Sequence, residues 1–215
     1  KGCDERCTFC IVPSSRGCER YRPADELVGE IADLVAGGVR VITLLGQTVN
    51  SWIEPGPQAE ASKAASRTAA STSRFPGLLR RISDEVPALQ RLRYTSPHPR
   101  HITPELVAAH AELDVLPAHV HLPVQSGSDR MLKRMARRYT AEDYIARTDA
   151  LKAAKPGLTL SADFIVGFPG ETEDDFEQTL ELIRRVGFVA AFAFKYSPRP
   201  YTPALKLGDE VSEET

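Results

Sequence analysis

Short apolar, partly β-branched runs alternate along this chain with segments whose apolar residues recur at helical spacing. The runs cover residues 39–46, 91–96, 119–125, 159–168 and 190–196. Strands separated by helices cannot pair as hairpins and call for a parallel sheet with crossover helices. Residues 24–36 place Leu27, Ile31, Leu34 and Val35 on one helical face, and residues 103–113 open with Thr103 as N-cap and Pro104 in the first turn. Further helices are expected over 128–137, 141–154 and 172–186, the last led by Thr172 and the acidic Glu173, Asp174 and Asp175. Even spacing favours one barrel, or part of one, over two separate sheets. A helix precedes the first run, so one more strand is expected upstream of Cys3. The expected fold is an α/β (β/α)6 partial TIM barrel with its first strand missing or truncated.

Two stretches fall outside this pattern. Residues 53–74 are rich in Ala, Ser, Pro and Gly and are expected to form a mobile surface insertion, while the acidic 208–215 reads as the start of a linker leaving a 1–207 core domain. The 215 residues carry 27 Lys+Arg against 29 Asp+Glu, so net charge singles out neither nucleic acid nor membrane as a partner. No apolar run approaches the ~20 residues of a membrane span, and the first residues lack the apolar core of a secretory signal. The chain reads as cytoplasmic, without a membrane partner.

Within that frame, Cys3, Cys7 and Cys10 form a CxxxCxxC loop, with Cys18 eight residues further on. A disulfide framework does not suit a cytosolic chain long enough to bury a core. Structural zinc wants four ligands, usually in two pairs, and Pro13 to Gly17 is not a knuckle spacing. Three thiolates on a tight loop suit a [4Fe-4S] cluster with one iron left open for substrate. Zinc remains the competing metal, and Cys18 reads as a free thiol.

The segment from Gly2 to Pro13, with Phe9 before the third cysteine, resembles the cluster loop of radical S-adenosylmethionine (SAM) enzymes. Its continuation through Arg16-Gly17 and Arg22-Pro23 resembles the methylthiotransferase family. The resemblance implies that Cys3, Cys7 and Cys10 bind the cluster and that SAM chelates its open iron. It also implies that an electron from the cluster cleaves SAM to methionine and a 5′-deoxyadenosyl radical, which the protein then aims.

Motifs at the expected strand ends strengthen the likeness. Gly46-Gln47-Thr48-Val49-Asn50 resembles the family's Gly-Gln-Asn-Val-Asn, departing at Thr48. Gln47 and Asn50 would hold SAM or the substrate base, and a plain polar turn is the alternative. Prolines on both sides of His98 would project its imidazole from the rim toward substrate, unless the loop is a cap. His121-Leu-Pro-Val-Gln125-Ser126-Gly127-Ser128 matches the tRNA-modifying branch. Gln125 and Ser126 become cofactor contacts, Gly127 lets backbone approach a ligand, and His121 is either an interior or a catalytic histidine. Ser161 and Asp163, on one face of their strand, and Gly167 in the turn Gly167-Phe-Pro-Gly-Glu-Thr172 resemble the cradle of the SAM nucleoside. Arg199, between prolines, suits a SAM carboxylate or an RNA phosphate, and Arg16 an RNA contact. Arg16, Arg20 and Arg22 could track RNA; Arg130, Lys133, Arg134, Arg137 and Arg138 spread around their helix and read as a solvated face.

The resemblance is closest to the MiaB-type branch, which adds a methylthio group to C2 of N6-isopentenyladenosine beside the anticodon. It implies tRNA, through its anticodon stem-loop, and SAM as partners. A flavodoxin or ferredoxin electron donor and a monomeric state are also expected. A second iron–sulfur cluster belongs to an N-terminal domain, and RNA binding to a C-terminal β domain, both absent from this chain. The piece alone is expected to bind a cluster without completing methylthiolation. The alternatives are a methylthiotransferase for threonylcarbamoyladenosine or a ribosomal protein, a non-catalytic iron–sulfur or RNA-binding module, and a structural zinc protein.

Overall fold

A computed structural model describes residues 1–56 and 73–212. The chain divides into two compact units: Lys1 with 20–118 and 151–158, and 2–19 with 119–150 and 159–215.

The first unit is built on α2 (Ala24–Ala36), β1 (Val41–Leu44), α3 (Phe75–Glu85), β2 (Arg91–Tyr94) and α4 (Pro104–Glu112). β1 and β2 pair in parallel, Val41 opposite Arg91 and Leu44 opposite Tyr94. Helix α2 buries Ala24, Val28, Ile31 and Val35; of the expected face, Ile31 and Val35 are buried, Leu27 is half-buried and Leu34 is exposed, and the Thr103 hydroxyl accepts from the Leu106 amide at 3.3 Å as the expected N-cap. Helix α3, which the sequence reading did not assign, provides the crossover between β1 and β2. Pro76 stands in its first turn, and Phe75, Leu78, Leu79 and Ile82 are buried. Of the expected insertion 53–74, residues 57–72 lie outside the described residues. Its flanks are held: Ile53 is buried, Glu54 accepts from the Ala24 amide, and the Arg74 amide donates to the Trp52 carbonyl.

The second unit carries α1 (Val12–Arg16), β3 (His119–His121), α5 (Asp129–Arg134), β4 (Thr159–Val166), α7 (Glu173–Val186) and β5 (Ala190–Lys195); α6 (Ala141–Ala154) begins in it. The strands pair in parallel in the order β3-β4-β5. The described strands form two parallel ladders, β1-β2 in the first unit and β3-β4-β5 in the second. After β2 the ladder is not continued: the Leu92 amide donates to the Val115 carbonyl, in the loop between α4 and β3. Side-chain alternation gives β4 two faces. Leu160, Ala162 and Phe164 are almost wholly buried, while Asp163 and Ile165, on the opposite face, are half-buried.

Helix α7 starts in the capping box expected from Thr172 to Asp175. Asp175 does more than cap. It is buried, and it accepts from Ser128 Oγ at 2.5 Å, from the Thr172 amide at 2.9 Å and from the Arg130 guanidinium. Burial opposes its ionisation, but the hydrogen bonds from Arg130, Ser128 and Thr172 outweigh it and hold the carboxyl below the usual carboxylate range. The unfolded chain takes up this proton near pH ~3.9. The contribution of Asp175 to stability is therefore complete above about pH 4 and declines as pH falls further. In thermal unfolding of wild type and Asp175→Asn, the difference in Tm should shrink steadily below pH 4. A difference that holds at pH 3 contradicts the assignment.

Candidate functional site: a cysteine loop and a polar strand face

Residues 2–19 close into a loop at its base, where the Cys3 amide donates to the Gly17 carbonyl at 3.1 Å and the Glu19 amide to Asp4 Oδ1 at 3.2 Å. Gly2, at φ +82°, is required there: a Cβ would stand 2.1 Å from the Cys18 carbonyl oxygen. The tip is pinned by Thr8, whose amide donates to Met135 O at 3.1 Å, whose hydroxyl donates to Arg134 O at 2.8 Å, and whose carbonyl accepts from Ala204 at 2.9 Å. Phe9 packs against Met131, Met135, Phe168 and Ala204, so its aromatic ring anchors the loop to the core.

Cys7 is buried, Cys3 and Cys10 are half-buried, and Cys18 is exposed, and none of the four is in a disulfide. Burial raises the Cys10 pKa; the Val12 amide opposes the rise, Cys7 adds to it, and Arg137 lowers it again. Cys7 and Cys10 thus share one electrostatic environment. Among the described residues, no three His, Cys, Asp or Glu side chains stand close enough to hold a single metal ion. A glycine-closed loop with three thiols and a buried guanidinium beside one of them is a donor set that fits a cluster ligated through three irons.

On β3 and β4 a hydrogen-bonded chain occupies one face. His121 Nδ1 meets Ser161 Oγ at 2.9 Å and its Nε2 meets Asp163 Oδ2 at 3.2 Å, while Ser161 Oγ also meets His119 Nε2 at 3.2 Å. Register places Phe192 and Phe194 of β5 opposite Asp163 and Ile165, and both rings are exposed. Ser161 and Asp163 therefore share a face, as expected, and both ring nitrogens of His121 are engaged. At the carboxyl ends of β4 and β5 opens a cavity of about 560 Å³, lined by Val166, Gly167, Glu171, Phe176, Lys195 and Tyr196 among others. That volume suits a small-molecule ligand. Glu171 folds back to accept from the Gly167 and Phe168 amides and shapes the turn, with Gly167 at φ +68°.

Other expected site residues are occupied elsewhere. Asn50 is fully buried and spends its amide on His98, donating to its carbonyl at 3.0 Å and accepting from its amide at 2.7 Å. In this structure its side chain clamps the loop at His98. His98 is buried, not projected from a rim, because Pro99 starts a tight 3-10 turn whose Arg100 amide donates to His98 Nδ1. Ser126 is fully buried, with its hydroxyl 3.3 Å from Thr179 Oγ1 and accepting from the Ser128 amide. The close approach at Gly127 is to the α7 backbone, not to a ligand. Gln125 is half-buried and adopts φ +81°, with its amide and carbonyl tied to β4, so its orientation is imposed by the ladder. Gln47 is half-buried in the loop after β1, and Arg16 and Arg199 are exposed.

Arg130, Lys133 and Arg138 are exposed, as a solvated face would have them, but Arg134 is half-buried and Arg137 is buried. Arg130 binds Asp175 and the Gly170 carbonyl, and Arg134 binds the Pro169 carbonyl. Arg137 is buried, donating to Cys7 Sγ at 3.3 Å, Tyr139 Oη at 2.8 Å and Pro123 O at 3.0 Å. The helix ends at Arg134, and left-handed conformations at Ala136 and Arg138 turn Arg137 inward. Helical periodicity does not extend to that position.

Residues 1–183 match the radical SAM superfamily. The chain belongs to that superfamily. Membership implies a [4Fe-4S] cluster and SAM, and the cysteine loop supplies a matching donor set. The chain is 66% identical over 213 residues to the tRNA-2-methylthio-N(6)-dimethylallyladenosine synthase of Sorangium cellulosum, covering 99% of itself and 43% of that protein. It is 49% identical to the synthase of the same name from Agrobacterium fabrum, of which it covers 44%. The chain thus spans less than half the length of these relatives. Among solved structures, it resembles the radical SAM methyltransferase TsrM from Kitasatospora setae, with TM-score 0.67 and 19% identity over 94% of this chain and 37% of that one. SuiB from Streptococcus suis gives TM-score 0.58 at 14% identity over 98% of this chain and 40% of that one. These likenesses show the fold, the parallel α/β fold of radical SAM enzymes. No helix among the described residues is long and apolar enough to cross a membrane.

Proposed function

We propose that this chain is the radical SAM portion of a tRNA methylthiotransferase that modifies C2 of N6-isopentenyladenosine beside the anticodon. The observation that carries this reading is the 66% identity, sustained over nearly the whole chain, to a protein named for that product. Cys3, Cys7 and Cys10 would hold the cluster, which when bound would supply the electron for reductive cleavage of SAM. The protein residues do the rest. The loop base holds the thiols together, Phe9 anchors the loop, and the turn from Gly167 to Glu171 borders a cavity with room for a nucleoside. Ser161, Asp163 and His121 present a polar face for hydroxyl or amine groups, with Gln47, Gln125, Arg16 and Arg199 as further contacts.

The tRNA anticodon loop would present its base unstacked, since a base within a stack cannot reach an enclosed radical. Residues 1–207 form the core domain and 208–215 a linker, and sulfur supply calls for a second iron–sulfur cluster. A flavodoxin or ferredoxin donor, a monomeric state and a cytoplasmic location complete the reading. Anaerobic reconstitution with iron and sulfide, followed by SAM and dithionite, should yield 5′-deoxyadenosine by chromatography. Full iron loading without any 5′-deoxyadenosine would refute the reading.

A further inference from the structure

Arg137 is only 5% exposed, and every direction of its guanidinium that the structure resolves is fixed: Nε on Tyr139 Oη, one terminal nitrogen on Cys7 Sγ, the other on the Pro123 carbonyl. Tyr139 is itself buried and donates to the Val124 carbonyl at 2.8 Å, so the phenol cannot swing away. The guanidinium carbon also lies 5.3 Å from the Tyr139 ring centroid. Among the described residues no carboxylate forms an ion pair with Arg137.

A buried cation surrounded by carbonyl and phenol dipoles is destabilising unless an anion stands beside it. Arginine cannot escape by losing its proton. Neighbouring Arg130 and Arg134 each face a carboxylate, Asp175 and Asp209 respectively, at partly exposed positions. Arg137 differs in being enclosed, and in that the group it meets able to carry full negative charge is a thiol of the CxxxCxxC loop.

We infer that Arg137 is a positioning residue that acts through Cys7: it balances the charge of the cysteine-held cluster and donates a hydrogen bond to one of its ligand sulfurs. Both effects favour the reduced, more negative form and raise the reduction potential, so a donor of given strength fills more of the cluster. The inference rests on the reading that the three cysteines hold a cluster. The competing role is a strut joining residues 123–124 to 137–139, which would leave the potential unmoved.

The test reconstitutes the wild-type chain and the variants Arg137→Met, Arg137→Lys and Tyr139→Phe anaerobically with ferrous iron and sulfide. Iron and acid-labile sulfide are counted, and each cluster is titrated with dithionite and redox mediators under electron paramagnetic resonance. At the wild-type midpoint, Arg137→Met should show a reduced-to-oxidised ratio about tenfold lower, equivalent to ~59 mV for a one-electron couple. Arg137→Lys keeps the charge but not the fork and should fall between the two. Tyr139→Phe loosens the strut while retaining the cation and should stay within about twofold of wild type. Equal potentials in wild type and Arg137→Met overturn the inference while leaving the cluster reading standing. If Arg137→Met does not fold, a potential for Arg137→Lys equal to wild type overturns it. A wild-type chain that takes up no iron and sulfide removes the cluster reading itself.

Discussion

Valine at position 127 is expected to destabilise the chain enough that little folded protein remains at 37 °C, and alanine is expected to lower stability by about 3 kcal/mol or more. The reason lies in what a Cβ would meet. It would stand 2.5 Å from the Gln178 carbonyl oxygen and 2.6 Å from Thr179 Cα, both backbone atoms of α7. A flexible side chain could yield, but a helix backbone cannot move without breaking its own ladder. The loop is also bonded to the helix at that point, the Gly127 amide donating to Thr179 Oγ1 at 2.9 Å, so retreat from the clash forfeits a buried hydrogen bond. Gly157 is the control. Its φ of +74° disfavours a side chain by about 1–2 kcal/mol, but no atom lies within 4 Å of its Cβ position. Thermal unfolding of Gly127→Ala and Gly157→Ala should therefore show a clearly larger loss of Tm for the first. Equal losses would mean that α7 yields to residue 127.

The same glycine illustrates what sequence could and could not reveal. Its place in a strand-end motif marked a close approach, but a motif does not say to what, and here the neighbour is a helix more than fifty residues away. Strand and helix identities were legible because they rest on local periodicity; the five strands and the helices 24–36 and 141–154 fall where spacing put them. Helix α3 escaped notice because its apolar stripe follows directly on a small-residue stretch that masks its start. Which strands pair within each ladder is a matter of long-range pairing that no local signal carries. At the site, the cysteine spacing and the shared face of Ser161 and Asp163 were readable, being a loop pattern and a period of two. Arg137 was not. Its inward turn depends on left-handed backbone at Ala136 and Arg138, two residue types that do not advertise it.

Serine at Cys7 is expected to abolish SAM cleavage and lower reconstituted iron to background, whereas serine at Cys18 should leave both unchanged. Four cysteines outside any disulfide share residues 3–18, so composition alone cannot rank them. Structure separates them by what surrounds each sulfur. Cys7 is buried behind the Thr8 pins, its sulfur receives the Arg137 donor, and its carbonyl accepts from the Cys10 amide at 3.1 Å, which fixes the turn joining two of the thiols. Serine keeps that turn and nearly the same volume, so a loss of iron would report the sulfur itself and not a collapsed loop. A hydroxyl is a poor ligand for iron that thiolates hold, because it does not ionise near neutral pH. Cys18 is exposed at the base of the loop, where its backbone carbonyl faces Gly2, and its side chain is not required by that contact. The measurement is iron and sulfide per chain after anaerobic reconstitution, with 5′-deoxyadenosine formation from SAM and dithionite alongside. Full iron loading in Cys7→Ser, or its loss in Cys18→Ser, would replace Cys7 by Cys18 in the ligand set and would leave the buried guanidinium without the anion it faces.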